Sequence, residues 1–94
     1  MAVSCRREGT ALIVTLDNPP VNAIGLAVRE GLAAALERAG TEEALSCVVL
    51  TGAGRAFAAG GDAREFDAPA VAPHLNDIVA GIEACEVPWV AAIN

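Results

Sequence analysis

The 94-residue chain lacks lysine and tyrosine altogether, and its aromatic residues are one tryptophan and two phenylalanines. Without lysine it cannot form a phosphate-binding P-loop, whose Gly-x-x-x-x-Gly-Lys-Ser/Thr motif needs that residue. Six arginines stand against twelve acidic residues, and the net charge of −6 argues against nucleic acid as a partner. The sequence also has no apolar run close to the ~18 residues of a membrane span, so we expect no membrane partner.

Cysteine is scarce, and its spacing excludes two further kinds of site. Cys5, Cys47 and Cys85 are odd in number and far apart, which is not the pattern of a disulfide framework. No Cys-x-x-Cys pair occurs, and we predict no metal site. Cys47 and Cys85 lie in apolar stretches, where cysteine behaves as a small buried hydrophobic residue. With no secretory signal visible at the N-terminus, a cytoplasmic location is our expectation.

The hydrophobic pattern predicts strands alternating with helices. Strands are predicted at 3–7 and 10–16, joined by a turn at Glu8-Gly9, and again at 45–51 and 89–93. Helices are predicted at 26–39, ended by Gly40, and at 70–86. This order implies right-handed crossovers and a parallel sheet, hence an α/β fold. Helical spacing further predicts a shared core against the strands at 12–14 and 48–50, formed by Leu32, Leu36, Leu75, Ile78 and Ile82.

The segment GRAFAAGGDAREF, from Gly54 to Phe66, is the most informative stretch. Its consecutive small residues allow a close approach of backbone to a ligand. Asp62 and Glu65 have the spacing of a helix capping box, which predicts a helix start just after the glycines. Free N–H groups and the positive end of a helix dipole would then converge near Gly61, a suitable place for an anion or a developing oxyanion. A tight turn between strand and helix explains the spacing equally well. The dinucleotide fingerprint fails, because Phe57 occupies a position that needs a small residue.

Four motifs together resemble the crotonase (enoyl-CoA hydratase/isomerase) superfamily. They are the glycine segment, the loop DNPPVNAI at 17–24 and two strand motifs, VVLTG at 48–52 and PWVAAIN at 88–94. The resemblance covers the whole chain and implies a crotonase-like ββα spiral, of which residues 1–94 would form about two turns as the N-terminal part of a single domain. The PPVNAI form is most similar to the hydratase half of multifunctional fatty-acid β-oxidation enzymes.

The resemblance implies an acyl-CoA thioester as substrate and hydration or double-bond isomerisation of a 2-enoyl-CoA as reaction. Gly61 would then supply one backbone N–H of an oxyanion hole, although alanine is commoner at this family position. Coenzyme A is part of the substrate, so no separate cofactor is expected, and a trimer or hexamer of identical chains is implied. The positions that match the family's substrate-binding motifs are Val21, Asn22, Ala23, Ala59, Gly61, Asp62, Ala63 and Arg64.

Several readings stay open at this point. A rigid turn accounts for the loop at Val21–Ala23, and an ordinary surface arginine accounts for Arg64, as well as contact with coenzyme A does. By resemblance, the second oxyanion donor and the catalytic carboxylates would follow Asn94, so we expect the 94 residues alone to be inactive. The alternative function is a non-catalytic remnant or assembly module that keeps only the coenzyme A shelf.

Overall fold

In the computed structural model, which describes residues 2–94, four strands and two helices follow one another along the chain. The bounds are β1 (Val3–Glu8), β2 (Ala11–Leu16), α1 (Leu26–Thr41), β3 (Cys47–Gly52), α2 (Leu75–Ala84) and β4 (Trp89–Ala92). A single 3₁₀ turn, Ala63–Glu65, lies between β3 and α2. All four predicted strands and both predicted helices are present, with shifted ends.

The four strands form one sheet whose spatial order, β1-β2-β3-β4, is the order of the chain. β1 and β2 pair antiparallel as the predicted hairpin, while β2–β3 and β3–β4 are parallel. The first turn of the spiral is therefore β1-β2-α1. In the second turn, β3 is followed by a segment that pairs with Ile24 through one isolated bridge at Gly61, and then by α2. The α/β fold class is confirmed.

The core lies between α1 and one face of the sheet. Alternate residues of β2 are buried on this face, and Val48 continues it on β3. The residues of the opposite face of β2, such as Ile13, are only half-buried. The fully buried core residues are Val3, Leu12, Val14, Leu16, Val28, Leu32, Ala35, Ala39, Val48 and Ile78.

The second helix is shorter than predicted, and its core contact is smaller. It begins at Leu75 rather than at position 70, because Pro73 offers no backbone N–H and disfavours helical geometry in the residue before it. Ile78 is buried at 3% exposure, whereas Leu75 is 37% exposed and Val71 is exposed as well. The prediction that Leu75 belongs to the shared core is therefore wrong. Leu36 contributes to the contact between the two helices. It lies so close to Gly81 that a Cβ at position 81 would collide with the Leu36 side chain.

The first helix continues through the residue that was predicted to end it. Gly40 lies inside α1, and the chain leaves the helix at Glu42, whose N–H donates to the Arg38 carbonyl. The left-handed backbone conformation expected of a terminal glycine is adopted instead by Ala44, at φ +61°. Neither of the two described helices is long and apolar enough to cross a membrane.

The edge strand β4 carries the chain's single tryptophan. Trp89 pairs with Val48 across the parallel ladder and is half-buried against the core. Its indole Nε1 is buried and has no hydrogen-bond partner among residues 2–94. Cys5, Cys47 and Cys85 form no disulfide within the described residues and are all half-buried, so the last two are less enclosed than predicted.

Candidate active site

The buried side chain of Asn22 joins the proline loop to the glycine segment. Its Oδ1 accepts from the Asn18 N–H at 2.8 Å, and its Nδ2 donates to the carbonyls of Ala56 (2.8 Å), Ala53 (3.2 Å) and Phe57 (3.3 Å). Asn22 also holds a left-handed backbone conformation at φ +56°, which asparagine tolerates better than most residues. The backbone around Asn22 was predicted to line the coenzyme A pocket, with no separate role for this side chain. Asn22 is 2% exposed and its side chain is fully engaged with backbone, so only the backbone nearby is free to face a ligand.

Two backbone contacts continue this junction toward the glycines. The Ile24 N–H donates to the Gly60 carbonyl at 2.7 Å, and the Ala59 N–H donates to the Asn22 carbonyl at 3.4 Å. Gly60 has φ +89°, a conformation that favours glycine. The structure thus brings the predicted positions of the early loop and those of the glycine segment together at one place.

Gly61 presents an unengaged backbone N–H. In the parallel bridge with Ile24 the Gly60 carbonyl makes the connecting hydrogen bond, so the Gly61 N–H points away from Ile24. It donates to no acceptor among residues 2–94, and Gly61 is exposed. A Cβ built on Gly61 would lie 3.4 Å from the ring of Phe66, an ordinary contact distance. Gly61 therefore combines a free donor with room for an alanine side chain.

The Asp62 carboxylate is engaged locally. It accepts from the Arg64 N–H at 3.0 Å and from the Arg64 guanidinium at 2.6 to 3.2 Å. These bonds, the side-chain ones first, lower the pKa of Asp62 from 3.8 to about 2. Asp62 thus caps the 3₁₀ turn as predicted. Because this turn has only three residues, it contributes very little of the helix dipole that was expected at Gly61. The Arg64 side chain is largely exposed beyond this contact.

Glu65 does not complete the predicted capping box. Instead of reaching back to Asp62, its Oε2 accepts from the Leu26 N–H at 2.7 Å, and its Oε1 pairs with Arg29 at 3.0 Å. The pKa of the Glu65 carboxyl is lowered, most by the hydrogen bond from the Leu26 N–H and next by the hydrogen bond from Arg29. Both carboxylates beside Gly61 are therefore ionised and held by other groups at neutral pH. They are poorly suited to act as a general acid–base pair.

A cleft of about 370 Å³ opens beside Gly61. Of the predicted site residues only Gly61 and Asp62 line it, while Val21, Ala59, Ala63 and Arg64 are exposed and Ala23 is half-buried. His74 is exposed at the start of α2 and also lines the cleft. The residues that line the cleft are Ile24, Arg29, Gly61, Asp62, Glu65, Phe66, Ala68, Ala70, His74 and Leu75.

Eight of the ten residues that line the cleft were not among the predicted site residues. Arg29 was given no role, and Leu75 was assigned to the core. Ile24 and Phe66 received no role beyond the motifs that contain them. One signal could have identified Phe66. A large aromatic residue that directly follows a run of small and charged residues is not expected to pack into a core. No comparable signal marks Arg29, whose partners other than Ile24 are 36 to 44 residues distant.

Comparison with known proteins gives a consistent result. Residues 6–94 match the family model described as enoyl-CoA hydratase/isomerase. The chain is 43% identical over 87% of its length to the peroxisomal bifunctional enzyme of Danio rerio, and 37% identical over 94% of its length to the 2,3-dehydroadipyl-CoA hydratase of Escherichia coli. The first name agrees with the predicted resemblance to multifunctional enzymes.

The structural comparison points the same way. The crystal structure of an enoyl-CoA hydratase/carnithine racemase from Magnetospirillum magneticum superposes with a TM-score of 0.84, at 35% identity and over 99% of this chain. The chain spans 39% of that protein, 36% of the Escherichia coli hydratase and 11% of the zebrafish enzyme. The similarity thus concerns a minor part of each relative.

Proposed function

Because the chain belongs to the enoyl-CoA hydratase/isomerase family, we propose that it forms the acyl-CoA-binding part of an enzyme that hydrates or isomerises 2-enoyl-CoA thioesters. Within it, the Gly61 N–H donates to the thioester oxygen while that oxygen gains negative charge. The observation that carries this proposal is the backbone N–H of Gly61, an exposed residue that borders the cleft. This N–H has no acceptor among the described residues.

Backbone rigidity supports this role. An oxyanion donor is effective when it is already aimed at the position where charge develops, because no reorganisation is then needed during the reaction. The residue before Gly61 is bonded to Ile24, and the residue after it, Asp62, is buried and bonded to Arg64 within the 3₁₀ turn. The donor therefore lies between two hydrogen-bonded neighbours.

The lining of the cleft supports an acyl ligand. Ile24, Phe66 and Leu75 offer apolar surface, which suits a hydrocarbon chain, and Phe66 is 73% exposed. The backbone of Val21–Ala23 adjoins the same junction, and we assign it with Ala59, Ala63 and Arg64 to contact with the coenzyme A moiety. The Asp62 and Glu65 carboxylates are occupied, so the acid–base groups of the reaction are not assigned to them.

The test uses the product of the complete reading frame that encodes this chain. Gly61→Pro removes the N–H, and one oxyanion donor is typically worth about 10²- to 10³-fold in kcat. Gly61→Ala keeps the N–H and fits beside Phe66, so it should stay within about tenfold of the parent. Turnover is followed by the loss of enoyl absorbance with crotonyl-CoA.

Two controls keep the result interpretable. Circular dichroism should show that the proline variant keeps its fold, and calorimetric titration with acetyl-CoA should show little change in ground-state binding. Equal turnover by the parent and both variants would refute the role of Gly61. A parent protein that binds coenzyme A thioesters and turns none over would favour the non-catalytic alternative.

A further inference from the structure

The guanidinium of Arg29 connects separate parts of the chain around the cleft. Its Nε donates to the Pro73 carbonyl at 2.8 Å and its Nη2 to the Val71 carbonyl at 3.2 Å. Its Nη1 donates to Glu65 at 3.0 Å and lies 3.5 Å from the Ile24 carbonyl. The side chain is 12% exposed, so these contacts are largely removed from water. Arg29 therefore joins the first turn of α1 to the 3₁₀ turn and to the segment before α2.

Glu65 makes the complementary contact from the other side. Its carboxylate bonds the Leu26 N–H and so satisfies a free donor of α1, which has no side-chain cap and no acidic residue in its first turn. The chain makes room for it at Gly25, where a Cβ would lie 2.7 Å from Glu65 Oε2 and 3.1 Å from Asp62 Oδ2. The carboxylates of Asp62 and Glu65 thus both lie close to the start of α1.

The segment from Asp62 to His74 has little else to hold it. Within the described structure it contains only the 3₁₀ turn, and Asp62 is its one buried residue. It nevertheless forms one wall of the cleft and begins directly after Gly61. A segment without core contacts keeps a defined position only through its polar contacts, and most of the long-range ones here end on Arg29 or Leu26.

We propose that Arg29 and Glu65 are positioning residues that fix the direction of the Gly61 N–H and the width of the cleft. This inference rests on the proposed function of Gly61. Arg29 contacts two walls of the cleft at once. Glu65, four residues after the donor, sets the direction of the chain that follows Gly61. Neither side chain needs to touch the substrate for this effect.

The variants are Glu65→Gln, which can still accept from Leu26 but leaves Arg29 without a carboxylate, and Arg29→Met, which removes every contact of the guanidinium. Misplacement of a catalytic group by about 1 Å can cost on the order of 10²-fold in rate, so we expect kcat to fall by at least about tenfold. KM should change by less than about threefold, because the ligand surfaces remain. The double variant should lose less than the product of the single losses, since both remove one pair.

The chain supplies a matched control on the same helix. Arg38 and Glu42 form an ion pair of the same types, away from the cleft. Arg38→Met and Glu42→Gln should leave kcat within twofold of the parent, because neither residue lines the cleft. Equal losses of kcat in both pairs would show general destabilisation and overturn the inference.

A second measurement does not depend on activity. Hydrogen exchange followed by mass spectrometry should be faster in peptides covering 60–74 in both Glu65→Gln and Arg29→Met. Exchange in α1 beyond its first turn should be the same as in the parent. Unchanged exchange, or an active enzyme with kcat unaffected in both variants, would overturn the inference. If the parent neither turns over nor binds coenzyme A thioesters, the proposed function fails, and faster exchange would still support the positioning of this segment.

Discussion

Replacing Asn22 by aspartate changes one buried NH₂ group into an oxygen and leaves the side-chain shape unchanged. The parent NH₂ faces three carbonyl oxygens at 2.8 to 3.3 Å. A carboxylate there would oppose these oxygens with a negative charge and could donate nothing. We therefore expect Asn22→Asp to loosen the junction between the proline loop and the glycine segment.

The magnitude follows from two contributions. Two donated hydrogens contribute about 0.5 to 1.5 kcal/mol each, or roughly 1 to 3 kcal/mol together. Burial beside carbonyl dipoles raises the pKa of the introduced aspartate, and each unit of that shift adds about 1.4 kcal/mol at a pH above the raised pKa. A loss of about 3 to 5 kcal/mol in the free energy of unfolding is expected at about pH 7.

The pH dependence separates this explanation from simple loss of a contact. A group whose folded pKa is raised stabilises the fold in its protonated form, and that stabilisation is lost as the pH rises through the folded pKa. The deficit of Asn22→Asp should thus shrink by at least about 1 kcal/mol between about pH 7 and about pH 4.5. Urea unfolding followed by circular dichroism measures both values.

Two variants serve as controls for this experiment. Asn22→Gly allows the left-handed backbone but removes the side chain, so its deficit should not vary with pH relative to the parent. Asn76→Asp makes the same chemical change at an exposed position of α2 and should cost less than about 0.5 kcal/mol. A pH-independent deficit in Asn22→Asp, equal to that of the glycine variant, would refute the reasoning.

Two further predictions concern α2 and the acid stability of the site. Ile78→Ala should cost about 2 to 5 kcal/mol, and Leu75→Ala about 1 kcal/mol or less, because only the first is buried; equal losses in urea unfolding would mean that α2 is rotated relative to the sheet. Since the Arg64 contacts lower the pKa of folded Asp62 from 3.8 to about 2, the stability they provide is present above about pH 4 and is lost as the pH falls toward 2. An Asp62→Asn variant with the same acid-unfolding profile as the parent would contradict this.

Local patterns predicted the fold well, and they failed where a longer-range contact decided the outcome. Strand alternation and helical spacing located all six regular elements. The ends of α1 and α2 shifted because Gly40 can remain helical and Pro73 cannot be preceded by a regular helix. Leu75 satisfies the spacing of a core position, but its neighbours are cleft residues, which no periodicity reveals.

The site was predictable in its backbone and much less so in its side chains. Small residues at 58–61 indicated a close approach of backbone, and the free donor at Gly61 agrees with that interpretation. Asn22 and Glu65 were given roles that short motifs suggest, whereas each bonds to chain more than 30 residues away. Only the folded chain brings such partners together.

The position of Trp89 gives the chain a built-in fluorescence reporter of one folding step. It is the only tryptophan, and it lies on the strand added last in a sheet whose order follows the chain. The β1–β2 hairpin closes over a two-residue turn, whereas β4 reaches β3 only after a connection of 36 residues between Gly52 and Trp89. Short loops close faster than long ones. Indole emission should therefore follow docking of the final strand, and a refolding phase seen by circular dichroism but not by fluorescence would belong to the hairpin and α1.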